Sequence, residues 1–222
     1  MNLNKTETQI EFPLLWRGVG VRLTNVGKRF NREWIFRHFN YEFAAGKSYA
    51  ITGSNGSGKS TLLQVIAGSL THNEGTVEIT NNEQGIINNE QLYRYIAIAA
   101  PYLELVEEMT AKEMLEFHTQ FKPLILPIVK ILQLVGLEKA TSKQIRYYSS
   151  GMKQRLKLAQ AFFSNTPILL LDEPTTNLDL DGITLYHQLI NNYTGNKLVI
   201  VSSNDKQEYD FCGEVIKIGD YK

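Results

Sequence analysis

The segment Gly53-Ser-Asn-Gly-Ser-Gly-Lys-Ser-Thr61 matches the phosphate-binding pattern G-x-x-x-x-G-K-[S/T]. The apolar run from Ser48 to Thr52 predicts a strand before it, and the helical spacing of apolar residues after Ser60 predicts a helix behind it. Glycines let backbone N–H groups turn toward a phosphate, and a helix N-terminus attracts the same anion. The pattern therefore predicts a nucleotide-binding loop, with a ligand-free glycine-rich turn as the alternative.

Two side chains of this loop have predicted chemical roles. Lys59 is expected to neutralise the β and γ phosphates, and the Ser60 hydroxyl is expected to bind Mg²⁺. The predicted nucleotide-binding residues of the loop are Gly53, Ser54, Asn55, Gly56, Ser57, Gly58, Lys59, Ser60 and Thr61.

A second element is the apolar run from Ile168 to Leu171, which ends in Asp172 and Glu173. Open α/β sheets bind ligands at the carboxyl ends of their strands. Asp172 is predicted to hold Mg²⁺, and Glu173 to orient and polarise an attacking water. Alone, an apolar strand that ends in acids is common, but beside a phosphate-binding loop it indicates nucleotide hydrolysis.

The rest of the chain predicts an α/β fold. Strands alternate with helices along most of the sequence, which favours a mostly parallel sheet covered on both faces. Two early strands, predicted at residues 19–23 and 35–43, have no helix between them and predict an antiparallel β portion near the N-terminus. Residues 110–135 read as helices, with Thr110 and Glu113 forming a capping box at the start.

Composition narrows the function classes. The 222 residues include 23 basic and 23 acidic side chains, so we expect no nucleic-acid partner. A single cysteine, Cys212, excludes an intramolecular disulfide and favours a reducing, cytosolic setting; Cys212 itself is expected to be a packed residue. No apolar run reaches the roughly 20 residues that span a bilayer, and the N-terminus does not resemble a signal peptide.

A third motif is Tyr148-Ser-Ser-Gly-Met-Lys-Gln-Arg155, and a fourth is Thr175-Thr-Asn-Leu-Asp179. In isolation the third motif would be an ordinary helix cap followed by a solvated basic face that includes Lys153, Arg155 and Lys157. Together, however, the four motifs resemble the nucleotide-binding domain of ABC ATPases, over about residues 19–218. Ser149 and Gly151 match the serine and second glycine of the family's signature.

This resemblance implies a P-loop NTPase fold that binds ATP and Mg²⁺. The chain would form one domain over residues 1–222, with an inserted helical subdomain at about residues 103–160. Asp179 would belong to the D-loop at a dimer interface. Phe30 would stack on adenine, although a core phenylalanine is the alternative.

The resemblance also implies two partners. One is a second ABC ATPase domain, in a homodimer or a heterodimer. Such a dimer would sandwich two ATP molecules, each between the phosphate loop of one domain and the signature of the other. The other is an integral membrane permease subunit, which would place the protein in the cytoplasm, peripheral on the inner face of the membrane.

Two family positions differ in this sequence. The strand at residues 95–99 is followed by Ala100, Pro101 and Tyr102 where the family has glutamine, and Glu104 is a hypothetical replacement as an oxygen ligand. Asn204 stands where the family has a histidine at the γ-phosphate, and it cannot carry a proton. We therefore expect ATP binding with slow or partner-dependent hydrolysis. His72 and His118 are expected on the surface.

Three functional hypotheses follow from the sequence. The leading one is an ATP-hydrolysing subunit of an ABC transporter. The alternatives are a regulatory or weakly active nucleotide-binding subunit, and a soluble ABC ATPase that does not take part in transport. Long coiled coils or a second ATPase domain, which are typical of the non-transport classes, do not occur in this sequence.

Overall fold

The computed structural model describes residues 18–81, 85–87 and 89–222. Its strands and helices alternate along most of the chain, and short 3₁₀ turns join several of them. The elements are β1 (Val19–Phe30), β2 (Glu33–Phe43), β3 (Ser48–Thr52), α1 (Lys59–Ile66), β4 (Glu74–Asn81), β5 (Gly85–Ile86), β6 (Ile96–Ala99), α2 (Ala111–Thr119), α3 (Ile128–Leu134), α4 (Ser150–Phe163), β7 (Ile168–Asp172), α5 (Leu180–Tyr193), β8 (Leu198–Ser202), α6 (Lys206–Tyr209) and β9 (Glu214–Lys217).

The central sheet is parallel, with strand order β6-β7-β8-β3-β9. Strands β7 and β8 are buried along their whole length, as expected for a sheet covered on both faces. Their register pairs Leu171 with Val201 and Asp172 with Ser202. The predicted parallel sheet is confirmed, and its carboxyl edge brings together the ends of β3, β7 and β8.

The predicted antiparallel portion is also confirmed, as a sheet of order β2-β1-β4-β5. Strand β1 is longer than the predicted 19–23 and continues to Phe30. Its pairing register with β2 shifts between Leu23 and Val26, beside Asn25, which has a φ of 52°. Such a bulge interrupts the two-residue alternation, so the pattern alone ended the strand too early.

The helical segment begins as predicted. Glu113 N–H donates to Thr110 Oγ1 at 3.3 Å, and Thr110 N–H donates to Glu113 Oε2 at 2.8 Å, which completes the capping box. Residues 120–127 are not helical, because Pro123 and Pro127 cannot continue a helix. The backbone N–H of Ile125 instead donates to the Phe163 carbonyl at the end of α4, at 2.9 Å.

Two hydrophobic clusters lie on opposite faces of the parallel sheet. Leu169 and Leu171 of β7 face a helical cluster formed with α2, α3, α4 and α5. Ile168 and Leu170 face a nucleotide-side cluster formed with α1 and the antiparallel sheet. Cys212 packs against the helical cluster, and burial raises the pKa of its thiol to about 12. In the described residues, no helix is both long enough and apolar enough to cross a bilayer.

Candidate functional site

The loop after β3 has a backbone that requires glycine. Gly58 immediately precedes α1 and has a φ of 106°, in the region that side chains with a Cβ avoid. A Cβ built on Gly58 would lie 2.4 Å from Ile35 Cγ2. The glycine therefore allows the loop to close tightly over β2 before the helix begins.

Lys59 lies inside the curve of this loop. Its side chain is nearly buried, and its ammonium donates to the carbonyl oxygens of Gly53 at 2.7 Å and Ser54 at 3.4 Å. Ser57 Oγ is buried and has no hydrogen-bond partner in the described part of the chain. A cation, an unpartnered hydroxyl and the N-terminus of α1 together can hold an anion such as a phosphate chain.

The neighbouring ends of β7 and β8 carry two further unpartnered oxygens. Asp172 is 2% exposed and Ser202 is 0% exposed, and the two residues are paired in register. Within the described residues, Asp172 Oδ1 and Ser202 Oγ have no hydrogen-bond partner. Burying a carboxylate oxygen without a partner is costly, and oxygen donors are those that Mg²⁺ prefers. These two oxygens fit the predicted role of Asp172 toward Mg²⁺, and Ser202 is a neighbouring residue that the sequence did not single out.

Glu173 adopts a strained backbone immediately after β7. Its φ is 41°, which costs a residue other than glycine roughly 1–3 kcal/mol and concentrates at functional positions. Its backbone N–H donates to the Ser202 carbonyl at 2.9 Å, which keeps the turn against the end of β8. Glu173 is half-buried at this sheet edge, next to Asp172 in the chain.

Asn204, which follows β8, contacts the phosphate loop. Its Oδ1 accepts from the backbone N–H of Gly53 at 3.1 Å, and its Nδ2 donates to Asn55 Oδ1 at 3.4 Å. The loop, the end of β7 and the end of β8 thus form one cluster of polar groups.

Tyr102, which the sequence analysis did not select, also faces this cluster. Burial raises its pKa to about 12, the nearby Asp172 carboxylate acts in the same direction, and a hydrogen bond with Gln64 opposes them. Glu104, the hypothetical replacement for the missing glutamine, lies instead in the electrostatic neighbourhood of Lys157. Tyr102 thus lies within electrostatic reach of Asp172, and the role of Glu104 as an oxygen ligand stays a prediction.

The signature residues lie at the start of α4. Ser149 caps the helix, because its Oγ accepts a hydrogen bond from the Met152 N–H at 3.2 Å. Ser149 itself is exposed. A Cβ built on Gly151 would lie 3.0 Å from the carbonyl oxygen of Asn177, so the signature packs against the turn that follows β7. Arg155 makes an ion pair with Asp179 at 2.9 Å.

Asp179 also caps α5. Its Oδ1 accepts from Gly182 N–H at 2.8 Å, and this bond together with Arg155 lowers the pKa of the carboxyl. The residue is exposed at the surface beside the signature. Its position is compatible with the predicted interface, while its hydrogen bonds also fix the start of α5.

The basic residues of α4 do not form the solvated face that was expected. They are half-buried and paired, because the helix packs under the loops that follow β6 and β7. Lys153 pairs with Glu107, and Lys157 donates to the carbonyl oxygens of Ala100 at 3.3 Å and Pro101 at 2.8 Å.

Phe30 ends β1 with 48% of its surface exposed. The Lys28 ammonium lies 4.8 Å from the centre of its ring, within the range of a cation–π contact. Because nearly half of its surface is exposed, Phe30 is not a core phenylalanine, and its ring is available for stacking.

His118 differs from the expected surface residue. It lines a cavity of about 190 Å³, and its Nε2 lies 2.7 Å from Ser164 Oγ. Burial, assisted by the like charge of Lys122, lowers its pKa to about 4. The amphipathic pattern of α2 did not reveal this contact, because Ser164 is distant in sequence. His72 is only partly exposed as well.

Comparison with known proteins agrees with this arrangement. The family model described as ABC transporter matches residues 36–176. An uncharacterized ABC transporter ATP-binding protein, YybJ of Bacillus subtilis (strain 168), is 31% identical over 198 residues, covering 85% of this chain and 87% of that protein. The cytochrome c biogenesis ATP-binding export protein CcmA of Rhizobium meliloti (strain 1021) is 30% identical over 190 residues, covering 83% and 90%.

A solved structure shows the same likeness in three dimensions. The ATP-binding cassette MJ0796, in a dimeric post-hydrolysis state bound to ADP and Pi, superposes with a TM-score of 0.75 at 26% identity, over 90% of this chain and 95% of that one. The phosphate loop, the acidic end of β7 and the family match lead to the same conclusion: the chain belongs to the ABC transporter family, as one of its ATP-binding domains.

Proposed function

We propose that this chain is the ATP-hydrolysing subunit of an ABC transporter and drives transport through a separate membrane-spanning subunit. The observation that carries the proposal is the pair of buried, unpartnered oxygens on Asp172 and Ser202, at the sheet edge that also holds the phosphate loop. The relatives with known roles are transport and export ATP-binding proteins, which favours this function over a non-transport ATPase.

In this proposal the site residues divide the work of hydrolysis. Asp172 and Ser60 would hold Mg²⁺, which supplies charge neutralisation to the phosphates when bound. Lys59 and the N–H groups of residues 53–61 would bind the β and γ phosphates. Glu173 would orient and polarise the attacking water, and the Asn204 amide would donate to a phosphate oxygen.

We further propose that the working unit contains two ATP-binding domains, in a homodimer or a heterodimer. Ser149 is exposed at the N-terminus of α4, where its hydroxyl and the helix end can serve the phosphate of a partner's nucleotide. Leu180, next to Asp179, is 82% exposed and is therefore available to such an interface. Phe30 would stack on the adenine of the chain's own nucleotide.

The membrane partner would bind the helical subdomain at about residues 103–160. Val106, Phe117 and Phe121 are each more than 40% exposed there, and the two phenylalanine rings contact each other with centroids 5.2 Å apart. The proposal places the protein in the cytoplasm, peripheral on the inner face of the membrane.

Phosphate release, nucleotide binding and affinity purification test the proposal. The purified chain should release phosphate from ATP only when Mg²⁺ is present. Lys59→Met should lose nucleotide binding, whereas Glu173→Gln should bind ATP but release phosphate at least about 100-fold more slowly. Lys47→Met, a change at an exposed lysine, is the control and should behave as wild type. Affinity purification from membranes should recover an integral membrane protein; recovery of ribosomal or chromosomal proteins instead, or ATP turnover that survives Glu173→Gln, would refute the proposal.

A further inference from the structure

Glu208 is a buried carboxylate with no role in the site described so far. It lies on the short helix α6, four residues after Asn204, and is 3% exposed. Its Oε1 accepts from the backbone N–H of Thr175 at 2.7 Å and from Thr175 Oγ1 at 2.5 Å. Thr175 is two residues after Glu173, so this carboxylate holds the chain that leaves the end of β7.

The same side chain also reaches the end of β8. Ser203, which precedes Asn204, makes a side-chain hydrogen bond with Glu208. The Glu208 backbone carbonyl accepts from the hydroxyl of the fully buried Tyr186 at 2.6 Å, which fixes α6 against α5. One anchored carboxylate therefore joins the turn that carries Glu173 to the loop that carries Asn204.

The turn after Glu173 is held from two other sides as well. Gln154 of α4, 2% exposed, donates through Nε2 to the Pro174 carbonyl at 2.8 Å, and Glu173 N–H donates to the Ser202 carbonyl. These two contacts fix the backbone on either side of the Glu173–Pro174 bond. The contact with Glu208 adds a side-chain connection from the turn to Ser203, the residue before Asn204.

We propose that Glu208 is a positioning residue for ATP hydrolysis, which sets the spacing between Glu173 and Asn204 without touching the substrate. The inference rests on the proposed function, because it assigns Glu208 a role in the reaction that Glu173 and Asn204 carry out. Two short hydrogen bonds from one residue to a buried carboxyl oxygen hold the turn at a fixed place, and small displacements of catalytic groups reduce rates steeply.

The chain offers a matched control for this carboxylate. Glu113 also accepts the backbone N–H and the hydroxyl of one threonine, Thr110, at 2.8 and 2.9 Å, but it does so at the start of α2. Glu208→Ala and Glu113→Ala thus remove the same kind of contact at two places. Only the first is expected to affect the reaction.

The experiment compares steady-state ATP turnover and nucleotide affinity in the full-length chain. Glu208→Ala should lower kcat about 10- to 100-fold with KM and ATP affinity within about 3-fold of wild type. Glu208→Gln, which keeps an acceptor oxygen for Thr175, should recover most of the rate. If Glu208→Ala does not fold, Thr175→Val removes one of the two donors and should lower kcat in the same way.

Hydrogen–deuterium exchange supplies a second readout that is independent of activity. Amides of residues 173–178 should exchange faster in Glu208→Ala than in wild type or Glu113→Ala. Equal losses of kcat in the two alanine variants, a parallel loss of ATP affinity, or unchanged exchange in residues 173–178 would each overturn the inference. Failure of the proposed function would appear differently, as a wild-type chain without ATP turnover in which exchange still distinguishes Glu208→Ala from Glu113→Ala.

Discussion

Asn204 Oδ1 accepts a hydrogen bond from the backbone N–H of Gly53 at 3.1 Å, so the loop after β8 is tied directly to the first residue of the phosphate loop. The other end of the same amide donates to Asn55 at 3.4 Å. An amide at this place can donate to a phosphate oxygen, but it cannot take up a proton or a positive charge.

Replacing this amide with an imidazole is expected to accelerate hydrolysis. Asn204→His should raise kcat for ATP about 10-fold, because a protonated ring can stabilise developing phosphate charge. Phosphate release measured under matched protein, ATP and Mg²⁺ concentrations checks this. Asn204→Ala should be slower than wild type. A wild-type chain that is as fast as Asn204→His would contradict the expectation of slow turnover.

Substitutions at Tyr102 and Glu104 are expected to differ in their effect on the Mg²⁺ concentration that ATP turnover requires. Tyr102→Phe removes the hydroxyl that lies near Asp172 and Gln64, and should raise the Mg²⁺ concentration for half-maximal ATP turnover about 3-fold. Glu104→Ala, next to Lys157, should leave that concentration unchanged. The measurement is a Mg²⁺ titration of phosphate release. The reverse order of effects would restore Glu104 as the oxygen ligand.

Gly58 should not tolerate a side chain. Gly58→Ala places a methyl group 2.4 Å from Ile35 Cγ2 at a φ of 106°, so the free energy of unfolding should fall by about 1–3 kcal/mol and ATP affinity should fall with it. Urea denaturation and nucleotide titration measure the two losses. Gly195→Ala is the control, since a Cβ there meets nothing within 4 Å. Similar behaviour of both variants would contradict the packing described for the loop.

His118 is expected to make folding sensitive to mild acid. Its pKa is about 4 in the folded chain and near 6.5 when unfolded, so the unfolded chain binds the proton more readily between these values. The stability contributed by the neutral His118 ring should therefore be fully present above about pH 6.5, and it should be lost as the pH falls toward 4. Because the ring keeps some solvent contact, we expect a loss of about 1–2 kcal/mol.

Denaturation at several pH values, in wild type and in His118→Gln, measures this contribution. The difference between the two proteins in the slope of unfolding free energy against pH gives the contribution of His118. Contributions of the charged residues in the same cavity, Glu104, Lys122 and Lys157, are common to both proteins. Lys122→Met should reduce the acid loss, because it removes the like charge. Identical slopes in wild type and His118→Gln would show that the ring does not titrate in this way.

The fold was largely predictable because its signals are local. Apolar runs predicted β7 and β8, and the capping box at Thr110 predicted the start of α2. The prediction failed where a bulge at Asn25 broke the alternation of β1, and where two prolines divided the helical segment. The extent of β1 depends on its pairing with a neighbouring strand, and the break in the helical segment depends on the proline backbone. The spacing of apolar residues reports neither.

The sequence singled out candidate site residues only where a motif contains them. Lys59, Asp172 and Asn204 were selected from the sequence because they occupy fixed positions after strands. Ser202 and Tyr102 were not, since a serine at a strand end and a tyrosine in a loop become informative only beside Asp172. The pairing of Arg155 with Asp179, over 24 positions, likewise depends on how α4 meets α5.

The alternation of side chains along β7 divides the core into two sets of contacts. Leu169 and Leu171 contact the helical cluster, while Ile168 and Leu170 contact the cluster that includes α1, the helix after the phosphate loop. Residues on one face do not touch those on the other, so their mutational effects should be close to additive. We therefore expect that the helices on one face of the sheet can change in sequence without disturbing the phosphate loop on the other side.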